Sequence, residues 1–331
     1  MRHTLILDFK SRYTSVYPYT MKNSSRTHKV RPVFVGGTGR SGTTVMGDLL
    51  GSHEDIRTSV PIEIKFLANK SGLLHLVFGR DKSDQNEKIS PLNITGQIRR
   101  RRRAKQAFIK IEKEFIDRIW NDWWDIDAPP PHGRGLQSGI SKQRLQVLLD
   151  RLVKELRINR VWAGRRFMHG FISSQEDHGS QKYWVETTPL NVAQARRIKK
   201  LFPNALFINM VRDPRDVIAS LLTKNWGPTT PLEGLEWIEK RLIDGHNALR
   251  VIPAKQQITI ALEDLAIHNR EKSYQAILTF LGLRDDSKMR HFFESELTPQ
   301  AATSGRWKTE IATPEFLAGY AELEKKLQQL H

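Results

Sequence analysis

The chain has 331 residues, 39% of them hydrophobic, enough for one large domain with a sizeable core. It contains no cysteine, which excludes disulfides and thiolate metal sites. Its 53 Lys and Arg against 36 Asp and Glu leave a net charge of +17, which points to an anionic partner or to a basic solvated surface.

Residues 1–30 are polar and basic without periodicity, and Leu5, Ile6 and Leu7 are too few for a signal-peptide core. They read as a poorly ordered leader. No apolar run approaches the roughly 18 residues of a membrane span, so the expectation is a soluble, cytoplasmic protein. Residues 33–35 (Val-Phe-Val) form a short β-branched and aromatic run that predicts a buried strand. Gly36, Gly37, Gly39 and Gly42 then allow a turn with positive φ and close approach to a ligand. From Thr43 onward Val45, Met46, Leu49 and Leu50 recur at helical spacing. Strand, glycine-rich turn and helix together make an anion cradle, because the first N–H groups of a helix have no partner within it.

A nucleoside-triphosphate loop would carry a lysine after its last glycine. Here Thr43 holds that position, and the cation sits inside the turn as Arg40. Ordinary ATP or GTP hydrolysis is therefore not expected. Residues 51–58 read as a loop, in which His53 is either a base or a structural histidine. Just beyond it come Glu63 and Lys65; by position alone Glu63 reads as an acidic residue at a helix start.

Residues 67–180 predict a large, mostly helical insertion. Within it, 99–103 and Lys105 form the densest basic run, and Ala104, Phe108, Ile111, Phe115 and Ile119 follow at helical spacing. The run is either a solvated helix end or a grip for an anionic acceptor. Trp120, Trp123 and Trp124 precede Pro129, Pro130 and Pro131, which must break the helix; the tryptophans read as core. A second amphipathic helix spans 141–156, with Leu145, Leu148, Leu149, Leu152 and Val153 on one face. The second half returns to α/β order, with a strand and the turn after it over 183–191 and strands at 205–211 and 257–262. Arg212 ends the middle of these, Pro214 suits the first helical turn, and Ser220 lies about two turns along that helix. A guanidinium fork and a hydroxyl so placed suit a phosphate monoester. Helices follow at 232–250 and up to Gly282, a glycine stop.

Three stretches carry a resemblance. R-S-G-T-T at 40–44, R-D-P-R-D-V-x-x-S at 212–220 and G-R-W-K at 305–308 resemble, in this order, the motifs of sulfotransferases that use 3′-phosphoadenosine 5′-phosphosulfate. The likeness is to the bacterial type, with local similarity around Glu63 to tyrosylprotein sulfotransferases. It implies an α/β, P-loop-like three-layer fold: a central, mostly parallel sheet in one domain over 31–331, with the helical insertion at about 67–180. It also implies that Gly39, Arg40, Ser41, Gly42, Thr43 and Thr44 hold the 5′-phosphosulfate. Arg212 and Ser220, with Gly305, Arg306, Trp307 and Lys308, would hold the 3′-phosphate, leaving adenosine 3′,5′-bisphosphate as product. Glu63 and Arg40 would be catalytic, and no metal is asked for. Thr187-Thr188-Pro189 resembles the K-T-P segment of such enzymes, but Thr187 stands where the lysine would be. The acceptor is open among an acidic glycan, a small metabolite, a lipid and a peptide, and nucleic acid is not expected. The rival readings are a P-loop kinase or NTPase and a non-enzymatic polyanion binder using 99–105.

Overall fold

The computed structural model of the chain describes residues 30–79, 94–126, 134–175 and 181–329. The leader expected over 1–30 lies outside the described residues apart from Val30, as do Pro129, Pro130 and Pro131. Five strands form one all-parallel sheet in the order β2-β3-β1-β4-β5: β1 (Arg31–Gly37), β2 (Ile56–Thr58), β3 (Tyr183–Glu186), β4 (Leu206–Val211) and β5 (Gln257–Ala261). Helix α1 (Thr43–Gly51) follows β1. Between β2 and β3 come α2 (Leu73–Phe78), α3 (Ile94–Arg118), α4 (Lys142–Glu155) and α5 (Arg160–Ile172). The link from β3 to β4 holds α6 (Ala195–Leu201), and that from β4 to β5 holds α7 (Pro214–Leu222) and α8 (Pro231–Leu249). After β5 come α9 (Arg270–Leu281), α10 (Ser287–Ser295), α11 (Pro299–Ala302), α12 (Trp307–Glu310) and α13 (Pro314–Gln328).

Strand residues alternate between two cores, as the two-residue period requires. Phe34, Trp184 and Phe207 point into one, where they meet α2–α6. Val33, Val35, Val185 and Ile208 point into the other, against Met46, Leu49 and Leu50 of α1 and Tyr274, Ile277 and Leu281 of α9. Helices thus cover both faces, which gives the three-layer α/β architecture expected from the chain order. Helix α4 illustrates why these residues form these elements. Ser141 caps it by accepting from the Arg144 N–H, and Leu145, Leu148, Leu149 and Leu152 are all buried. Each such leucine contributes about 1.5–3 kcal/mol by leaving water.

Three local features differ from the pattern reading. Ile56–Thr58 is not a loop but an edge strand paired with β3; three residues are too few to display a period. Glu63 does not open a helix, since 59–65 is irregular. In α3 the apolar stripe is buried only from Phe108 onward. Ala104 is exposed with Arg102, Arg103 and Lys105, so this part of the helix turns its basic side chains to solvent. The helix then ends in a π-turn over Ile119–Trp123, where Trp123 is buried and Trp120 and Trp124 pack beside it. No helix among the described residues is long and apolar enough to cross a membrane.

The sheet order positions the site. After β1 the chain turns toward β2, whereas after β4 it turns toward β5. The carboxyl ends of the neighbours β1 and β4 therefore flank the crevice where open α/β sheets hold ligands. Register pairs Gly37 with Met210, so the turn after β1 and Arg212 after β4 emerge side by side although about 170 residues separate them.

Candidate active site

The turn between β1 and α1 is built for close approach. A Cβ on Gly37 would stand 2.3 Å from the Met210 carbonyl oxygen, so only glycine lets β1 lie this near β4 here. Gly42, with φ 92°, is the N-cap of α1 and has no side chain to satisfy the helix's first N–H groups, and no acidic residue lies in its first turn. Those donors point into the crevice with the positive end of the helix dipole. Arg40 adopts the left-handed conformation at φ 57°, which costs a non-glycine residue about 1–2 kcal/mol. Strain of this kind is typical of a residue held for function.

Arg40 Nε donates to Ser220 Oγ at 3.0 Å. The buried Ser220 hydroxyl therefore keeps its own proton for another acceptor. Arg212 donates from Nη1 to the Arg40 carbonyl at 3.2 Å, and from Nη2 to the carbonyls of Ala302 and Thr303, each at 3.1 Å. Its Nε is buried and without a hydrogen-bond partner, as is the Ser41 hydroxyl. Burial pushes the Arg212 pKa down. Asp216 and Glu263 oppose that effect, while the guanidinium groups of Arg306 and Arg40 add to it. Two orphaned donors and three crowded cations are what a multiply charged anion would satisfy.

One cavity of about 690 Å³ takes in Arg40, Thr44, Glu63, Lys65 and Arg212, with 301–303 along one wall and Trp226 along another. The segment bearing Glu63 and Lys65 is fixed from β3 and the residues after it. Thr187 donates through both N–H and Oγ1 to the Ile62 carbonyl, at 3.1 and 3.0 Å. The Ile64 N–H donates to Glu186 Oε1 at 3.1 Å, and the Lys65 N–H to Thr188 Oγ1 at 3.2 Å. Lys65 is itself left-handed at φ 58°. Glu186 is fully buried and also accepts from the Thr188 N–H and hydroxyl and from Asn191 Nδ2. Burial raises its pKa against those hydrogen bonds. Burial likewise pushes the Glu63 carboxyl up to about 7; Lys65 and Arg40 pull it down, and Glu186 pushes it further up. A carboxyl near neutrality facing a cationic cavity can exchange a proton with a substrate.

The structure brings Gly39, Arg40, Gly42, Thr43, Thr44, Glu63 and Arg212 to the one cavity. Ser41 lies beneath it, and Ser220 joins it through Arg40. Residues 305–308 stand behind the wall. The N–H groups of Gly305 and Trp307 donate to Asp216 at 2.7 and 3.2 Å, and Arg306 pairs with Glu310 at 2.8 Å. The Trp307 ring lies 4.0 Å beneath Arg215, and the Lys308 ammonium is 5.9 Å from the same ring. His53 is structural: its Nδ1 accepts from the Asp55 N–H at 3.0 Å, leaving Nε2–H for the Arg284 carbonyl at 3.1 Å. The Thr187 and Thr188 hydroxyls are committed within the loop instead of facing the cavity. Pattern reading missed Glu186 and Asp216 as supports. Both sit inside stretches already singled out, Glu186 just before T-T-P and Asp216 within R-D-P-R-D.

The profile of the sulfotransferase family matches residues 32–287. No curated protein matches the chain. Among solved structures, sulfotransferase STF9 from Mycobacterium avium is 14% identical, with 90% of this chain and 77% of that one covered at a TM-score of 0.44. The sulfotransferase domain of the olefin synthase from Synechococcus PCC 7002 is 16% identical, with 92% and 90% covered at 0.42. Retinol dehydratase in complex with androsterone and the inactive cofactor PAP is 14% identical, with 91% and 82% covered at 0.40.

Proposed function

The chain belongs to the sulfotransferase family, and on that premise we propose that it moves the sulfuryl group of 3′-phosphoadenosine 5′-phosphosulfate to a hydroxyl of its acceptor, with Glu63 as the base. The observation that carries this reading is the meeting of the 39–44 turn, Arg212 and Glu63 at one cavity. The donor supplies an activated sulfuryl group on a phosphate leaving group. What the protein must add is in-line alignment and neutralisation of the charge that builds on that leaving group.

The free N–H groups at the start of α1, the Ser41 hydroxyl and Arg40 hold the 5′-phosphosulfate and stabilise the departing charge. The unpartnered Arg212 Nε and the Ser220 hydroxyl hold the 3′-phosphate. Gly305, Arg306, Trp307 and Lys308 support that end. Asp216 anchors their turn, which sets 301–303 against Arg212, and Arg306 adds its charge beside that guanidinium. Glu63 accepts the proton of the acceptor hydroxyl as it attacks sulfur. Lys65 fills the place that Thr187 leaves without a lysine. It presents a cation to the cavity two residues from the base and keeps Glu63 ionised near neutral pH.

Transfer from a radiolabelled sulfate donor to a panel of hydroxyl acceptors tests the assignment. The wild-type protein passes label, and Glu63→Gln lowers the rate by about 10²–10⁴-fold, the usual loss when a general base is removed. Undiminished transfer by Glu63→Gln would remove the base assignment, and Mg²⁺-dependent ATP turnover in place of transfer would replace the donor.

A further inference from the structure

A second cavity, of about 450 Å³, lies between α8, the carboxyl-terminal half of β4 and the first residues of β5, with Thr38 between it and the 39–44 turn. We propose that it is a separate oxyanion site, one that takes a phosphate or sulfate group, free or carried on a small molecule. Its cationic side is Arg241 of α8 and Arg250 just after it, with the His246 imidazole between them in sequence, and its polar side is Thr38, Asn209 and Thr259. None of its lining residues is Asp or Glu. His246 and Arg250 stand four residues apart and so share one stripe of the helix, while Arg241 lies about 140° round the axis from His246, so that the basic side chains flank the cavity from opposite edges of the helix face that Leu242, Gly245 and Leu249 line.

Arg241 is the centre of the site. Its guanidinium lies 4.6 Å over the Trp237 ring, and among the described residues no carboxylate stands within ion-pair distance of it. The nearest acid to influence it, Asp244, is paired with Lys240 at 3.2 Å. Burial pushes the Arg241 pKa down, so the fold carries the desolvation of a cation without an internal counter-charge. A guanidinium held over a ring face uses no N–H group in that contact, and its planar fork matches two oxygens of a phosphate or sulfate. Across the cavity Asn209 Nδ2 donates to Thr259 Oγ1 at 3.3 Å, which leaves the threonine's own proton to donate.

The second site also adjoins the first. The far edge of Trp237 packs over the cradle, 3.9 Å from where a Cβ on Gly39 would stand. One aromatic ring thus carries Arg241 over its face and has its far edge beside the Gly39 turn. This site does not depend on the donor proposed above, since none of Arg241, His246 and Arg250 lines the first cavity.

The test is a titration with inorganic phosphate, read as thermal stabilisation of the full chain. It is run with adenosine 3′,5′-bisphosphate at saturation to fill the cradle, and again without it on Arg212→Ala. Wild type should show saturable stabilisation. Arg241→Gln should weaken the apparent Kd by about tenfold or more, as loss of a charged bidentate contact predicts. Arg241→Lys should fall between, and Arg250→Gln should weaken it less, while affinity for the bisphosphate stays within about twofold of wild type, because the Arg241 contact to the cradle is indirect. A response in Arg241→Gln equal to wild type, or no saturable response in wild type, overturns the proposal. If the bisphosphate fails to bind while the Arg241-dependent response persists in Arg212→Ala, the donor assignment falls and this site stands.

Discussion

At the scale of single residues, the account turns on Glu63 and Lys65. As the proposed base, the Glu63 carboxyl, raised to about 7 by burial, must be ionised to take a proton. The acid limb of kcat/KM should therefore lie near pH 7, with activity falling below it as the carboxyl protonates. Lys65 lowers that pKa, so Lys65→Met should move the limb to higher pH and Lys65→Arg should restore it. An unmoved limb in Lys65→Met would reduce Lys65 to a structural part. Stability has the opposite dependence. A carboxyl raised above its ordinary 4.5 favours the fold below that value and loses the contribution as pH rises through about 7. At pH 8, Glu63→Gln should thus be more stable than wild type, by about 1–3 kcal/mol, as denaturant unfolding would measure.

At the scale of elements, two buried carboxylates hold the loops on which the proposed chemistry rests. Glu186, at the end of β3, receives the N–H groups of Ile64 and Thr188 and so sets the segment on which Glu63 and Lys65 ride. Glu186→Gln turns an acceptor into a partial donor facing donors, and should cost about 1–3 kcal/mol while lowering kcat more than it raises KM for the donor. Asp216 of α7 plays the same part for the 305–307 turn. Asp216→Ala should release that turn and the 301–303 wall, weakening the bisphosphate by about tenfold with little change in the acid limb. In the cradle, Gly42→Ala forces a side chain into φ 92° and should lose about 1–2 kcal/mol of stability. Equal stability there, measured by thermal melting, would mean the turn can relax.

For the molecule as a whole, what could be read without coordinates was whatever repeats or sits next to itself in the chain. The 33–35 run, the leucines of α4 and the stop at Gly282 all betray their element by period or by punctuation, and each lies where that signal put it. The three-residue β2 has no room for a period. Contacts across the sheet order were equally silent: Arg40 on Ser220, Asp216 under Gly305, and Thr188 against the Lys65 N–H join segments that are distant in sequence. Such contacts also explain why 305–308 stands behind the wall and 301–303 forms it, a distinction no motif carries. The most direct measurement is calorimetric titration of wild type and Arg212→Ala with adenosine 3′,5′-bisphosphate and with adenosine 5′-monophosphate. Wild type should bind the bisphosphate far more tightly than the monophosphate, and Arg212→Ala should lose that preference. Equal affinity of wild type for both nucleotides, or a preference that survives in the variant, would contradict a site in which the cradle and Arg212 grip the two ends of one donor.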